Sequence, residues 1–256
     1  MRCALLQPAM HWTPAGNLHE LLDALPRAAA AGARLLVGPE LGLSGFHRRV
    51  LESFAPQALD AALAELQQAC AASRIALAVG LPWRTPDGRV FNSHLYLDER
   101  GEIVGRVDKR GLTPSEATVC APGGTRGWTP LAGAAVSSVL CRETLDGERL
   151  LPQWRQVLLA APRLLLWPSF IGASDAEQAR LTQAYRAGAA QLAKDLSAWV
   201  LQSNWPQSLN DEAARGLGAS VVLAPDGRCV AELAPDEPGL WGLALAEAGA
   251  EITRLA

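Results

Sequence analysis

Short apolar runs of strand-forming residues alternate with amphipathic helical patterns along the whole chain. Several of these runs are continuously apolar, which is typical of strands covered on both faces. Such strands need a layer of helix or sheet on either side, so the pattern predicts an α/β fold. The predicted strands cover residues 3–7, 34–38, 75–80, 93–97, 103–108, 134–140, 163–167, 199–202, 220–223 and 240–245.

Helical periodicity marks four segments, which are residues 17–31, 56–73, 148–160 and 175–196. The last segment is preceded by a capping-box pattern in which Ser174 is the predicted N-cap. The second half of the chain roughly repeats the strand–helix–strand order of the first half, which favours two packed sheets with helices outside. No linker-like stretch divides the 256 residues, so we expect a single domain over residues 1–256.

Charge and cysteine content exclude several classes of protein. The formal net charge is -3 and there is no basic block, so neither nucleic acid nor a membrane surface is an expected partner. No apolar stretch is long enough to span a bilayer, and the first apolar run is too short for a signal peptide. The five cysteines lack a CxxC spacing, which indicates a reducing cytoplasm. The four histidines form no metal motif, so we predict no metal and no other cofactor.

Cys141 follows directly on an apolar run, and the chain becomes polar after it. A thiol at the end of a buried strand is held rigidly while the next loop opens to substrate, which favours a nucleophile. Glu40 and Lys109 stand at the ends of two further predicted strands. The alternative interpretations are a buried inert cysteine, a solvated loop glutamate and a surface lysine.

A thiol, a carboxylate and an ammonium together would make a complete acyl-transfer site. Glu40 would take the proton of the Cys141 thiol, and the thiolate would attack the carbon of a C–N bond. Lys109 and the backbone N–H after the cysteine would stabilise the oxyanion. Glu40 would then protonate the leaving nitrogen and activate water, and this chemistry requires no cofactor.

Four motifs carry a resemblance to a known family, and they occur in the family's order. They are Ala4-Leu5-Leu6-Gln7-Pro8 with Asn17-Leu18, Gly38-Pro39-Glu40-Leu41 with Ser44-Gly45-Phe46, Asp108-Lys109-Arg110-Gly111-Leu112 with Glu116, and Val139-Leu140-Cys141-Arg142-Glu143 with Glu148. Weaker landmarks follow in order, which are Trp167-Pro168-Ser169, Ser203-Asn204-Trp205, and Gly218-Ala219-Ser220 leading to Pro225-Asp226-Gly227. On these residues the chain resembles the nitrilase superfamily of carbon–nitrogen hydrolases, from near Met1 to about Leu245.

The resemblance implies a four-layer α-β-β-α sandwich of two mixed sheets with outer helices. It implies a catalytic triad in which Glu40 is the general base, Lys109 stabilises the oxyanion and Cys141 is the nucleophile. Glu116 matches the second glutamate of the family, which orients the lysine and is expected to relay protons. The resemblance also implies a homodimer or higher homo-oligomer, with the last two predicted helices at the subunit interface.

The loop after the cysteine departs from the family pattern. Arg142 replaces a common aromatic residue, while Glu143 keeps the acidic residue that follows it. Because this loop lines the pocket in the family, Arg142 and Glu143 are candidate substrate-binding residues, and Phe170 at a later strand end is a third. Arg142 would bind a substrate carboxylate through a bidentate contact, or it would pair with Glu143 or Glu148 and hold the loop.

The leading hypothesis is a hydrolase that cleaves a small linear amide or N-carbamoyl compound through a Cys141 thioester and releases ammonia or an amine. One alternative is a nitrilase or an acyl transferase on the same scaffold. The nitrilase is disfavoured by Arg142, since an aromatic residue usually follows the cysteine in that branch. The other alternative is a non-catalytic binding or assembly protein.

Overall fold

The structure, a computed structural model, describes residues 1–47, 50, 56–154, 161–173, 175–246 and 249–255. These residues form thirteen strands in two sheets. The strands are β1 (Arg2–Gln7), β2 (Leu35–Val37), β3 (Ala76–Arg84), β4 (Val90–Leu97), β5 (Ile103–Asp108), β6 (Thr129–Leu131), β7 (Ala134–Ser138), β8 (Arg163–Ser169), β9 (Trp199–Asn204), β10 (Val221–Leu223), β11 (Cys229–Glu232), β12 (Gly239–Ala246) and β13 (Gly249–Arg254).

Both sheets are mixed. The larger has the order β13-β12-β1-β2-β3-β4-β5, and the smaller has the order β11-β10-β9-β8-β7-β6. The parallel neighbours are β1, β2 and β3 in the larger sheet and β7, β8 and β9 in the smaller. The other neighbouring strands pair in antiparallel register.

The described helices form the two outer layers. They are α1 (Pro14–Ala30), α2 (Pro56–Ser73), α3 (Gly147–Trp154) and α4 (Ala176–Leu196). α1 and α2 share a core with the larger sheet, which includes Leu21 and Leu66. α3 and α4 share a core with the smaller sheet, which includes Trp154 and Leu192. A third core lies between the sheets, so the predicted four-layer α-β-β-α sandwich is confirmed.

Alternate side chains of one strand enter different cores, which explains the continuous apolar runs in the sequence. In β1, Leu5 packs in the core between the sheets, whereas Ala4 and Leu6 pack in the core under α1 and α2. Successive strand residues point to opposite faces of a sheet, so a strand with helices on one face and a sheet on the other is apolar throughout.

All ten predicted strands are present with small shifts at their ends, but the sequence pattern does not predict β6, β11 and β13. These three are edge strands of their sheets, and the side chains of β11 and β13 are half-buried or exposed. They therefore lack the apolar pattern of an inner strand, and pairing with their neighbours makes them strands.

The four predicted helices are also present. The predicted segment 148–160 corresponds to α3, which ends at Trp154, and residues 155–160 lie outside the described part of the chain. The N-cap of α4 is Asp175, whose carboxylate accepts the N–H groups of Glu177 and Gln178. The predicted Ser174 cap is wrong by one residue, and Ser174 itself lies outside the described residues. No described helix is long and apolar enough to cross a membrane.

Candidate active site

Three strand ends bring predicted site residues to one place. Glu40 follows β2 and Lys109 follows β5 in the larger sheet, whereas Cys141 follows β7 in the smaller sheet. Lys109 Nζ lies 2.8 Å from Glu40 Oε1 and 2.7 Å from Glu116 Oε1. The Cys141 thiol is close enough for the charges of Glu40 and Lys109 to shift its pKa. The site therefore lies at the seam between the two sheets.

Close backbone packing fixes the position of Glu40. The loop that carries it rests on β3, where the N–H of Leu43 donates to Gly80 O at 2.9 Å. A Cβ atom on Gly80 would lie 2.3 Å from Leu41 N, so only glycine permits this approach. From the other sheet, the indole N–H of Trp205 donates to Glu40 O at 2.7 Å. The backbone of Glu40 is thus held from both sheets.

The two oxygens of the Glu40 carboxylate have different surroundings. Oε1 accepts hydrogen bonds from Lys109 Nζ and from Asn92 Nδ2, both at 2.8 Å. Oε2 is buried and has no hydrogen-bond partner among the residues that the structure describes. Burial raises the pKa of Glu40, although the Lys109 ammonium partly opposes this shift. A carboxylate with a raised pKa and one open oxygen is suited to accept a proton.

Lys109 is fully buried between two carboxylates. Burial alone would lower the pKa of its ammonium, but the negative charges of Glu40 and Glu116 raise it, so Lys109 stays charged. Glu116 Oε2 accepts the N–H of Thr113 at 2.8 Å. Burial would raise the pKa of Glu116, but the Lys109 ammonium and this N–H hold it below its usual value. The lysine is therefore oriented by two anchored carboxylates.

Cys141 lies in a strained turn at the end of β7. Its φ angle is 50°, in the left-handed region that side chains other than glycine rarely adopt. The indole N–H of Trp167 donates to Cys141 O at 2.9 Å, and Sγ lies 3.9 Å from Phe170 O. Burial, followed by the charge of Glu40, raises the pKa of the Cys141 thiol to about 12. The thiol is therefore neutral at neutral pH, and it needs a base to become a nucleophile.

A cavity of about 400 Å³ opens beside this cluster. Asn92 and Glu116 form part of its wall, together with the side chains of Phe46 and Cys120. The ring of Phe46 stacks on that of Phe170, with 4.8 Å between the centroids. Phe170 therefore contacts the cavity wall through its ring and lies near the Cys141 thiol through its backbone carbonyl, at 3.9 Å.

The side chains of Arg142 and Glu143 have partners within the protein. The Arg142 guanidinium lies 3.5 Å from Gly111 O and 3.8 Å from Asp146 Oδ2, so its predicted pairing with Glu143 or Glu148 is wrong. Glu143 is buried, and all its acceptor capacity is used within the protein, chiefly by Arg126 at 2.7 and 2.8 Å. The structure therefore corrects the expectation that Glu143 binds substrate.

Sequence reasoning missed Asn92 and Arg126. Asn92 donates to Glu40 Oε1 and, at 3.0 Å, to Glu116 Oε1, although it stands just before a predicted strand with no motif around it. Arg126 lies in the loop between β5 and β6, in a stretch that looks like an ordinary polar connection. The partners of both residues are distant in the sequence, so these contacts can be recognised only in the folded structure.

The described residues hold no group of three or more His, Cys, Asp or Glu side chains that could bind a metal ion. The groups that do converge are a thiol, a carboxylate with an open oxygen, and a permanently charged ammonium. This set can deprotonate a nucleophile, form an acyl intermediate and stabilise an oxyanion without another component.

The model of the carbon–nitrogen hydrolase family matches residues 2–251, and the chain belongs to this family. The predicted resemblance to the nitrilase superfamily is thereby confirmed. A search of the curated proteins finds no match to the sequence.

Solved structures of an amidase from Nesterenkonia sp. AN1 are similar to this chain. A cysteine-to-serine variant of that amidase, from the nitrilase superfamily, is 26% identical, with 96% of this chain and 92% of that chain covered and a TM-score of 0.78. A double variant in complex with acrylamide is 25% identical, with 97% and 91% covered and a TM-score of 0.77. A third variant carries the acetamide moiety of fluoroacetamide covalently on its active-site cysteine, at 25% identity, with 97% and 91% covered and a TM-score of 0.78.

Proposed function

We propose that the protein hydrolyses the C–N bond of a small linear amide or N-carbamoyl compound through a thioester on Cys141, and releases ammonia or an amine. The observation that carries this proposal is that Lys109 Nζ donates to both Glu40 and Glu116 beside a neutral thiol. Glu40 Oε2 is left without a hydrogen-bond partner among the described residues and can accept a proton. The amides bound in the related Nesterenkonia amidase support the choice of substrate.

Acylation begins with the transfer of the Cys141 thiol proton to Glu40 Oε2. The thiolate then attacks the carbonyl carbon, and the C=O electron pair moves onto oxygen. The Lys109 ammonium and the backbone N–H of Arg142 stabilise this oxyanion. When the tetrahedral intermediate collapses, the C–N bond breaks and Glu40 returns its proton to the leaving nitrogen. Ammonia or an amine departs, and the acyl group stays on sulfur.

Deacylation uses the same carboxylate in the reverse sense. Glu40 takes a proton from water, and the hydroxide attacks the thioester carbon. The second oxyanion occupies the same place beside Lys109. Its collapse breaks the C–S bond, and the proton held by Glu40 returns to Cys141. The carboxylic acid leaves, or carbamic acid if the substrate carries an N-carbamoyl group.

Glu116 and Phe170 have supporting roles in this proposal. Glu116 holds the Lys109 ammonium in place and lowers the cost of keeping that charge buried, because two carboxylates share one cation. Phe170, whose ring stacks on Phe46 of the cavity wall and whose carbonyl lies 3.9 Å from the thiol, contacts the acyl part of the substrate in this proposal. Arg142 contributes its backbone N–H, since its guanidinium lies against Gly111 and Asp146.

Ammonia release from a panel of small amides and N-carbamoyl compounds tests the assignment. We expect Cys141→Ala to lower kcat on the order of 10⁴-fold or more, since the nucleophile is lost. Cys229→Ala is the matched control, because this cysteine is exposed on β11, outside the site. Ammonia release by Cys141→Ala at the wild-type rate would rule the proposal out. Mass spectrometry of the acyl-enzyme formed with a slow substrate identifies the modified residue.

The predicted homo-oligomer and cytoplasmic location belong to the same proposal. α4 packs on the turn Cys141–Asp146, and each carries an exposed leucine, Leu181 at 42% and Leu145 at 45%. Exposed apolar side chains on contacting elements favour a subunit interface there. Light scattering should give a dimer or larger mass, and Leu181→Glu should reduce it to a monomer. All five cysteines are free, which fits a reducing compartment.

A further inference from the structure

Arg126 and Glu143 form a buried ion pair next to the proposed site. Arg126 Nη1 donates to Glu143 Oε2 at 2.7 Å and Arg126 Nη2 donates to Glu143 Oε1 at 2.8 Å, a bidentate pair. Both side chains are 1% exposed. Burial would raise the pKa of Glu143, but the Arg126 guanidinium and backbone N–H groups hold it below its usual value, so the pair is ionised.

The remaining capacity of Glu143 is used by backbone groups at two strand ends. Oε1 accepts the N–H groups of Arg110 at 2.7 Å and Gly111 at 3.0 Å, directly after Lys109. Oε2 accepts the N–H of Leu140 at 2.8 Å, directly before Cys141. The Glu143 carboxylate therefore binds the backbone directly after Lys109 and directly before Cys141.

Arg126 contacts the same two strand ends through their carbonyl groups. Nη1 donates to Ser138 O at 3.1 Å, at the end of β7, and Nη2 lies 3.4 Å from Asp108 O, at the end of β5. The backbone of Arg126 is held as well, since its N–H donates to Gln153 Oε1 at 2.9 Å. Arg126 and Glu143 thus each connect the end of β5 to the end of β7.

This connection matters because β5 and β7 belong to different sheets. A strand ladder fixes the register of residues within one sheet, but it cannot fix Lys109 relative to Cys141 across the seam. Other polar links join the sheets elsewhere, and those from His94 and Tyr96 of β4 to Ser138 do not reach the residues that flank Lys109. Between these two strand ends the Arg126–Glu143 pair is therefore the principal polar connection in the described part of the chain.

Stability does not account for such a pair. Removing two charges from water costs several kcal/mol per ion, and buried ion pairs are often replaced by apolar residues without loss of stability. What an apolar pair cannot do is accept three backbone N–H groups and donate to two carbonyls at defined positions. The backbone N–H of Glu143 also donates to Leu140 O at 3.0 Å, which closes the strained turn of the cysteine.

We infer that the Arg126–Glu143 pair is a positioning device that sets the location of the Cys141 thiol relative to the Lys109 ammonium. The inference rests on the proposed function, in which both groups act on one carbonyl. Arg126 and Glu143 act through the backbone of their neighbours and do not contact substrate. A displacement of about 1 Å between reacting groups lowers rates roughly 100-fold, so a device of this kind is detectable in kinetics.

The test compares three variants: Arg126→Lys, Glu143→Gln and the charge-neutral double variant Arg126→Met with Glu143→Gln. We expect each to lower kcat about 100-fold while KM changes less than about threefold, because the thiol and the ammonium lose their alignment and the cavity stays intact. The matched control removes the Arg186–Glu232 pair, whose atoms are 2.7 Å apart and which joins α4 to β11 away from the site. This control should keep the wild-type kcat.

A second readout does not depend on any substrate. Lys109 lowers the pKa of the Cys141 thiol, so displacement of the ammonium leaves less thiolate. Alkylation of Cys141 by iodoacetamide, followed by mass spectrometry of its peptide, should therefore be about tenfold slower in the variants at a fixed pH. Measurements well below the unfolding temperature separate this effect from a loss of stability.

The outcomes separate the two proposals. A double variant with wild-type kcat and a wild-type alkylation rate overturns the positioning role. If the double variant does not fold, Arg126→Lys decides, because it keeps the buried charge and loses only the bidentate geometry. A wild-type protein that hydrolyses no C–N bond overturns the proposed function, and the alkylation rates still report whether the pair positions the thiol.

Discussion

At the scale of single residues, Asn92 makes central contacts in the proposed site, although no sequence motif marks it. Its one amide nitrogen donates to Glu40 Oε1 and to Glu116 Oε1, so it binds both carboxylates that hold Lys109. These contacts occupy Oε1 of Glu40 and leave Oε2 as the open oxygen. Asn92 therefore shares Oε1 of Glu40 with Lys109, and its hydrogen bond lowers the pKa of that carboxylate.

Replacing Asn92 by alanine should lower kcat/KM by roughly 10- to 100-fold, the effect expected from losing hydrogen bonds to charged groups. The acid limb of the pH profile should also move to higher pH. The Asn92 amide lowers the pKa of Glu40, so its loss lets that pKa rise further. Gln57→Ala, an exposed amide on α2, is the control. An unchanged acid limb in Asn92→Ala would contradict this account of Glu40.

The pH dependence of the wild-type enzyme follows from Glu40. Its pKa is raised above the usual 4.5, and the base must be ionised to take the thiol proton. We therefore expect kcat/KM to fall as the pH drops through a midpoint above 4.5. The pKa of Cys141 is about 12, so ionisation of the thiol itself should not limit the rate near neutral pH. A midpoint at or below 4.5 would show that another group is the base.

At the scale of secondary-structure elements, α4 supports the turn that carries Cys141. Gly188 lies where the helix meets this turn, and a Cβ atom there would be 2.3 Å from Thr144 O. The approach is too close for any side chain, so helix and turn are in backbone contact. The turn is thereby held by α4 from outside and by Glu143 from within.

Gly188→Ala should therefore destabilise the protein and lower kcat together. Helix propensity alone predicts the opposite, since alanine in a helix interior is favoured over glycine by about 1 kcal/mol. A fall in the melting temperature would thus report the clash with Thr144. The matched control is Gly124→Ala, where nothing lies within 4 Å of the added carbon. A stabilised Gly188→Ala variant would mean that the helix can move away from the turn.

The inner strands could be predicted because their apolar runs result from burial on both faces, and the helices because one apolar face of each packs on a sheet. β11 and β13 could not, since they lie at sheet edges and gain their structure from a neighbour. Glu40, Lys109 and Cys141 follow predicted strands, so their places at strand ends in the structure could be predicted from the sequence. Arg126 and Asn92 were out of reach, because their partners lie 17 and 52 residues away along the chain. The position of Glu143 was predictable, and its pairing with Arg126 was not.

At the scale of the whole molecule, the two sheets enclose a polar contact within an apolar core. His94 Nδ1 lies 2.7 Å from Ser138 Oγ, and Tyr96 Oη lies 2.6 Å from the same hydroxyl. Burial lowers the pKa of His94 from 6.5 to about 3. The folded protein therefore keeps this imidazole neutral under conditions in which an unfolded chain would protonate it.

This difference makes stability depend on pH. Between pH 6.5 and about 3 the unfolded state binds a proton at His94 that the folded state does not, so the free energy of unfolding falls as the pH is lowered. One such group contributes a slope of about 1.4 kcal/mol per pH unit. Denaturant titrations across this pH window give the free energy of unfolding as a function of pH. Its slope should be smaller in His94→Gln than in the wild type by about 1.4 kcal/mol per pH unit. Equal slopes in the two proteins would contradict the burial of a neutral imidazole.

The left-handed backbone of Cys141 lowers the free energy of unfolding of this protein. Any residue with a Cβ atom costs on the order of 1–2 kcal/mol there, and glycine escapes most of that cost. Cys141→Ala and Cys141→Gly both lack the thiol, yet only the second is released from strain. The difference between their unfolding free energies, corrected for the greater backbone freedom of glycine in the unfolded chain, measures the strain that a side chain creates at this position. A chain selected for persistence alone would carry glycine at this position.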